Sequence, residues 1–371
     1  PNMFAPNMFA PNMFAPNMFA PNMFAPNMFA AGMGGGGCCC PGPLADTETR
    51  KVPELAARPA EADENAATVA APSGRVEIHV IDIAQIHEDR DDTKYVGELS
   101  AADAADHPID DNIDGWADPA MGHGDFVRSI VQQTCGIEAT LWNAADPLGD
   151  IDDACLVEAM KAVSVAATKD KVRILNLSLS GYNEDDRPSL ILADQVRSMI
   201  ADNWLIVASA GNNASCRLAW PAALPDVVAV GAISKCAPAW FSNYGPWVDV
   251  SAPGVDVVAE FPVPQDAIDA SPPILVGEGR IPEDTDSRML DLSDFDTGWA
   301  RWSGTSFSAP FVTARLARWL ADHPGAEAAD AIDSVIHDRK LDWLPNYGRL
   351  LGHGSGEGCG ARSSGARGAG G

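Results

Sequence analysis

Between residues 75 and 322, short apolar runs rich in β-branched side chains alternate with longer segments of helical spacing, and that alternation leaves few architectures open. The spacing predicts strands at 75–83, 172–179, 204–208 and 227–233, and helices at 123–132, 154–167, 188–202 and 306–322. Strands separated by helices return to the same side of a sheet and pair in parallel. Near-continuous apolar runs are what such strands need, because both faces of a parallel sheet are covered. The expected fold class is therefore α/β, with three layers and a mostly parallel central sheet flanked by helices. Sites on these sheets collect beyond the carboxyl ends of the strands. Asp82, Ser178 and Asn212 all fall at or just past such ends.

The rest of the chain is organised around this region. Residues 1–30 are six copies of Pro-Asn-Met-Phe-Ala, followed by a Gly- and Cys-rich patch and a Pro/Ala/Glu linker to residue 73. A proline every fifth residue breaks a helix, and a period of five matches neither 3.6 nor 2, so 1–73 reads as a disordered low-complexity tail. Residues 74–351 read as one domain and 352–371 as a Gly-rich disordered tail. Within the domain, a proline-rich stretch at about 257–300 carries ten Asp or Glu against two Arg and reads as a solvated insertion.

The 52 acidic against 25 basic residues give a formal net charge of −27. Counterion release needs clustered Lys and Arg, so nucleic acid and anionic membrane are excluded as partners. No apolar run is long enough to span a bilayer, and no secretory signal pattern opens the chain, which begins at Pro1 and keeps export open. The expected state is a monomer.

Three short motifs carry chemistry. Val80-Ile81-Asp82 ends a strand, Gly122-His123-Gly124 opens a helix, and Gly304-Thr305-Ser306-Phe307-Ser308-Ala309-Pro310 surrounds a serine with small residues. A hydroxyl becomes a nucleophile when an imidazole takes its proton and a carboxylate fixes the imidazole. Asp, then His, then Ser is one of the chain orders in which hydrolases arrange these groups, and it points to a serine peptidase. Pro310 reads as a first-turn proline of the following helix, where a missing N–H costs little. Ser306 then lies at the positive end of that helix.

These motifs, with Ser209-Ala210-Gly211-Asn212, Ser178-Leu179-Ser180-Gly181 and Val250-Ser251-Ala252-Pro253-Gly254, resemble the subtilisin-like serine peptidases, or subtilases. The resemblance covers about three quarters of the chain. It implies a serine endopeptidase acting on protein or peptide substrates through an acyl-enzyme, with Asp82, His123 and Ser306 as catalytic residues. Asn212 and the backbone N–H of Ser306 are implied as the oxyanion donors, and Ser178, Leu179, Ser180, Gly181, Ser209, Ala210 and Gly211 as substrate-binding. No cofactor is expected for the chemistry.

The chain also departs from that pattern. Ile83 and Ala84 follow Asp82 where the family usually has a hydroxyl residue and then Gly, so a hydrogen bond to the carboxylate is expected to be lost. Asp125 and Arg128 stand on the helix after His123 and are expected to pair. Ser180 replaces a usual Gly and narrows the first specificity pocket.

The remaining signals are weaker. Asp110 to Gly115 matches half of a calcium loop, with Met121 at the closing position, so structural calcium stays open. Asn176 and Asn213 begin chance sequons. Eight cysteines fit no zinc spacing; Cys216 and Cys236 follow successive strands and either meet in a disulfide or stay inert thiols. Two rivals to the peptidase are a weak or inactive binding module of the same fold, and an assembly scaffold carried by the repeat.

Overall fold

The apolar runs build, in chain order, β1 (Glu54–Leu55), β2 (Val76–Asp82), β3 (Thr93–Tyr95), β4 (Ala139–Asn143), β5 (Val172–Leu177), β6 (Trp204–Ser209), β7 (Val227–Ser234), β8 (Ala237–Pro238), β9 (Val250–Pro253), β10 (Val257–Glu260), β11 (Trp299–Trp302), β12 (Trp343–Leu344) and β13 (Gly348–Leu350). The computed structural model describes residues 54–55, 74–83, 93–95, 122–145, 151–183, 185–235, 237–261 and 297–352. The repeat, the half calcium loop with Met121, Ala84, Cys236 and most of the acidic insertion lie outside these residues. Helices α1 (His123–Cys135), α2 (Asp153–Ala166), α3 (Leu190–Ala201), α4 (Thr305–Asp322) and α5 (Ala328–Ala331) alternate with the strands, close to the expected bounds.

The central sheet has the order β12-β13-β9-β7-β6-β5-β2-β4-β3, with β8 joined to β7. Pairing is parallel from β13 across to β3; only β12 and β8 run antiparallel. From β2 the chain runs out to β3 at the sheet edge, steps in to β4 and then crosses past β2 to β5, which puts a topological switch beside β2. Crevices outside the strand ends at such a switch are where ligands bind in open α/β sheets.

Period-two alternation covers both faces. On one, Val76, Ile78 and Val80 of β2 join Ile174, Val207 and the apolar sides of α1 and α4; on the other, Ile81, Leu175 and Ile206 pack against α2 and α3. This is the expected three-layer arrangement.

Three differences from the sequence expectation stand out, and the burial of Asn176 agrees with a chance sequon. Strand β5 stops at Leu177, so Ser178 and Leu179 leave the sheet at its carboxyl edge. The acidic stretch does not begin and end in solvent: β10 and β11 pair antiparallel, and Ala259, Phe261, Ala300 and Trp302 enter the core, because apolar side chains stand at both ends of the stretch. Within the segment read as linker, β1 pairs antiparallel with β11, Glu54 opposite Arg301 and Leu55 opposite Ala300. Asn176 is buried in β5, where a glycan has no room.

Cys216 is disulfide-bonded, which removes the reading of inert thiols at this position. Cys135 is a buried thiol whose pKa burial pushes up to about 11.

A buried histidine on β2 gives the fold an acid limit. His79 accepts a hydrogen bond at Nδ1 from Trp142 Nε1, 3.1 Å away. Burial pulls its pKa down to about 4, against the pull of Glu77 and with the help of Lys171 and Arg173. A folded value below the unfolded one means that the neutral imidazole is the form the fold favours. Its contribution is complete above about pH 6.5 and is lost as pH falls toward 4, where the loss reaches about 3 kcal/mol. Urea unfolding at pH 7 and pH 4 is expected to show this loss in the native chain and a smaller one in His79→Asn. Equal losses would remove His79 as the cause.

Candidate active site

Asp82 is the last residue of β2 and His123 the first of α1. They meet because Gly124 lets the start of α1 lie directly on the end of β2. Its N–H donates to Ile83 O at 3.0 Å, and a Cβ there would come within 2.3 Å of that same oxygen. The result is a His123 Nδ1 to Asp82 Oδ1 hydrogen bond of 2.7 Å with both side chains buried. Donation from Nδ1–H to a carboxylate leaves Nε2 with the lone pair, the state a general base needs.

The carboxylate is fixed from a second side by Ile83 N, which donates to the same Oδ1 at 2.8 Å. Asp82 Oδ2 has no hydrogen-bond partner among the described residues, in keeping with the loss of a hydroxyl after Asp82. Asp125 and Arg128 pair as expected, at 3.0 Å. Trp302 meets the His123 ring edge-on with centroids 5.4 Å apart, and Phe307 lies at 5.3 Å, so the imidazole is held in an aromatic box.

Ser306 is the second residue of α4, and its N–H belongs to the first turn, whose donors the helix itself does not use. Pro310 is in the second turn, not the first, and this changes its meaning. Its missing N–H would have bonded Ser306 O, four residues back. That carbonyl instead accepts from Ser178 Oγ at 2.8 Å, while Ser306 Oγ donates to Ser178 O at 3.1 Å. Asn176 donates to Ser178 Oγ at 2.9 Å and accepts from Thr313 at 3.0 Å. The proline thus opens a carbonyl to which the end of β5 is tied.

That lock is testable by a double-mutant cycle. Ser178→Ala leaves Ser306 O and the Asn176 amide without this hydroxyl and is expected to cost about 1–3 kcal/mol in urea unfolding. Adding Pro310→Ala returns an N–H to Ser306 O and is expected to recover part of that loss, although Pro310→Ala alone gains nothing. Strict additivity would refute the lock.

Asn212 follows β6. Its Oδ1 accepts from Thr305 N at 2.8 Å and from Thr305 Oγ1 at 2.9 Å, and Gly211 N donates to Thr305 Oγ1 at 3.1 Å. With its oxygen so committed, the orientation of the Asn212 amide is set. Thr305 and Asn243 were not singled out by the sequence reading. Asn243 donates to Ala210 O at 2.7 Å and accepts from Asn213 N at 3.0 Å, so it braces the loop; only the Thr of Gly-Thr-Ser carried a signal.

The residues expected to bind substrate form two facing walls. Ser209 Oγ reaches Leu179 O at 3.4 Å, Ala210 N donates to Val230 O at 2.8 Å, and Gly181 is bridged to Trp220. One expected contact is missing: among the described residues His123 Nε2 has no hydrogen-bond partner. Such bonds often close only when substrate arrives. Ser306 and His123 expose no surface.

The chain is similar in sequence to known proteins. Over 118 residues it is 38% identical to the thermophilic serine proteinase of Bacillus sp. strain AK1, covering 32% of this chain and 26% of that protein. Over 249 residues it is 24% identical to an extracellular protease of Xanthomonas campestris pv. campestris, covering 63% of this chain and 37% of that one. The chain thus spans between a quarter and two fifths of the length of these relatives. A solved cold adapted subtilisin-like serine proteinase shares the fold, with a TM-score of 0.52 at 18% identity over 76% of this chain and 89% of that one. The profile of the Subtilase family matches residues 149–354, a span that includes Asn212 and Ser306 but neither Asp82 nor His123. With more than half of its 371 residues matched, the chain belongs to the subtilase family.

Proposed function

We propose that the chain is a serine endopeptidase in which Ser306 attacks a peptide carbonyl, His123 takes its proton and then protonates the leaving amine, and Asp82 stabilises the imidazolium. The oxyanion of the tetrahedral intermediate lies between the Ser306 N–H and the Asn212 amide. The acyl-enzyme is then hydrolysed by water. No cofactor enters any step. The observation that carries this reading is the buried 2.7 Å Asp82 to His123 contact, which sets the imidazole tautomer a base requires.

A second reading, a weak or inactive binding module, is favoured by one observation. Ser306 Oγ is turned to Ser178 O, while Nε2 of His123 makes no hydrogen bond among the described residues. Labelling with a fluorophosphonate separates the two, because the reagent reports an activated serine without a known substrate. Intact mass is expected to show one adduct on the native chain and none on Ser306→Ala. A folded native chain that takes no adduct would leave the module as the reading.

A further inference from the structure

The walls after β5 and β6 set the size of the side chain that the site accepts. These strands are neighbours in register, Leu177 opposite Ala208, so residues 178–181 and 209–212 leave the sheet side by side, next to Ser306 and Asn212. A carbonyl held between the Ser306 hydroxyl and the Asn212 amide belongs to a residue whose side chain enters the gap between these walls. That gap is pinched. Gly211 sits at φ +100°, and the point where its Cβ would stand is 2.8 Å from Ser180 Oγ and 2.5 Å from Asn243 Nδ2.

Neither neighbour is placed to withdraw. Asn243 Nδ2 is held by Ala210 O at 2.7 Å and by the Tyr182 hydroxyl at 2.6 Å, and that half-buried tyrosine carries Arg217 over its ring, the guanidinium carbon 4.8 Å from the centroid. Leu179 and Ser180 on one wall, and Ser209, Ala210 and Asn212 on the other, are all buried. The walls are also stitched together by the Ser209 to Leu179 contact at 3.4 Å. Of the groups in the gap, the Ser180 side chain is the one that a glycine would remove.

We infer that Ser180 is a specificity-determining residue that restricts the residue before the scissile bond to small side chains: glycine, alanine or serine. The proposal rests on the peptidase reading for its place in catalysis, and names the substrate class of that site. Overpacking is the physical cause, since a phenyl or isobutyl group would have to displace a wall whose members are tied to both strands.

The test uses the full chain and two tetrapeptide 4-nitroanilides that differ only in carrying alanine or phenylalanine before the anilide. Hydrolysis by the native chain is expected to favour alanine at least tenfold in kcat/KM. Ser180→Gly is expected to raise the phenylalanine-to-alanine ratio of kcat/KM at least tenfold, and Ser180→Val to suppress both peptides. Binding of the same peptides to Ser306→Ala, followed by calorimetry, reads the pocket without turnover and is expected to show the same preference. The proposal is overturned if the native chain and Ser306→Ala take phenylalanine as well as alanine, if Ser180→Gly leaves the ratio unchanged, or if Ser306→Ala binds neither peptide. Fluorophosphonate labelling reports separately on the nucleophile, so a dead catalyst with a selective pocket is distinguishable from an active one with an open pocket.

Discussion

His123→Ala is expected to lower kcat for peptide hydrolysis by about 2 × 10⁶-fold with KM little changed, the loss measured for the equivalent change in subtilisin. The size follows from what the imidazole does, because without it the Ser306 proton has no acceptor and the leaving amine no donor. Asp82→Asn is a finer probe. Removing the carboxylate outright costs about 3 × 10⁴-fold in subtilisin, and an asparagine in the carboxylate's place can select the wrong imidazole tautomer. Here Ile83 N donates to the same Oδ1 that meets His123. An amide NH₂ in that position would face the Ile83 N–H, so the asparagine oxygen is driven there and the Nδ1–H tautomer is kept. The asparagine variant is therefore expected to lose less than the alanine variant, its loss being charge alone. A His123→Ala chain retaining a few per cent of native kcat would sink the assignment, and an Asp82→Asn loss equal to that of Asp82→Ala would sink the tautomer argument.

Much of this site was legible because subtilase motifs mark strand ends. Asp82, Ser178 and Asn212 were placed at carboxyl edges by apolar runs that stop abruptly, and the structure puts them there. The alternation of strands and helices implied the three layers for the same reason: Val76, Ile78 and Val80 line one face of β2 and Ile81 enters the core on the other, so helices cover both.

What stayed hidden depends on contacts between residues far apart in sequence. Strands β10 and β11 were submerged in an acidic stretch because the apolar residues that pair them lie about forty positions apart, and composition averaged over the stretch reports the charges between them. Pro310 was read as a first-turn proline, although a start at 306 already makes it the fifth residue of the helix. From either start its absent N–H falls opposite the carbonyl of the nucleophile itself, four residues back. Thr305, Asn243, Trp302 and Phe307 support the site through hydrogen bonds and ring packing that no local pattern announces.

Asn212 carries the second large effect, and it separates chemistry from support. Its Oδ1 holds two donors of Thr305 at 2.8 and 2.9 Å, so Asn212→Ala removes an oxyanion donor and also leaves both Thr305 groups without this acceptor. The expected result is a kcat lower by about 10²–10³-fold, roughly 3 to 4 kcal/mol in the barrier and a magnitude known from subtilisin itself, together with a lower Tm. Asn212→Asp keeps the acceptor for Thr305 and exchanges the amide nitrogen for an oxygen that repels the developing oxyanion. Its Tm is expected to stay near native, with kcat falling at least as far as in the alanine variant. Because the two variants part in stability but not in catalysis, the pair tests the donor role directly. An aspartate variant that folds normally and keeps kcat within threefold of native would show that the oxyanion is held by something other than Asn212.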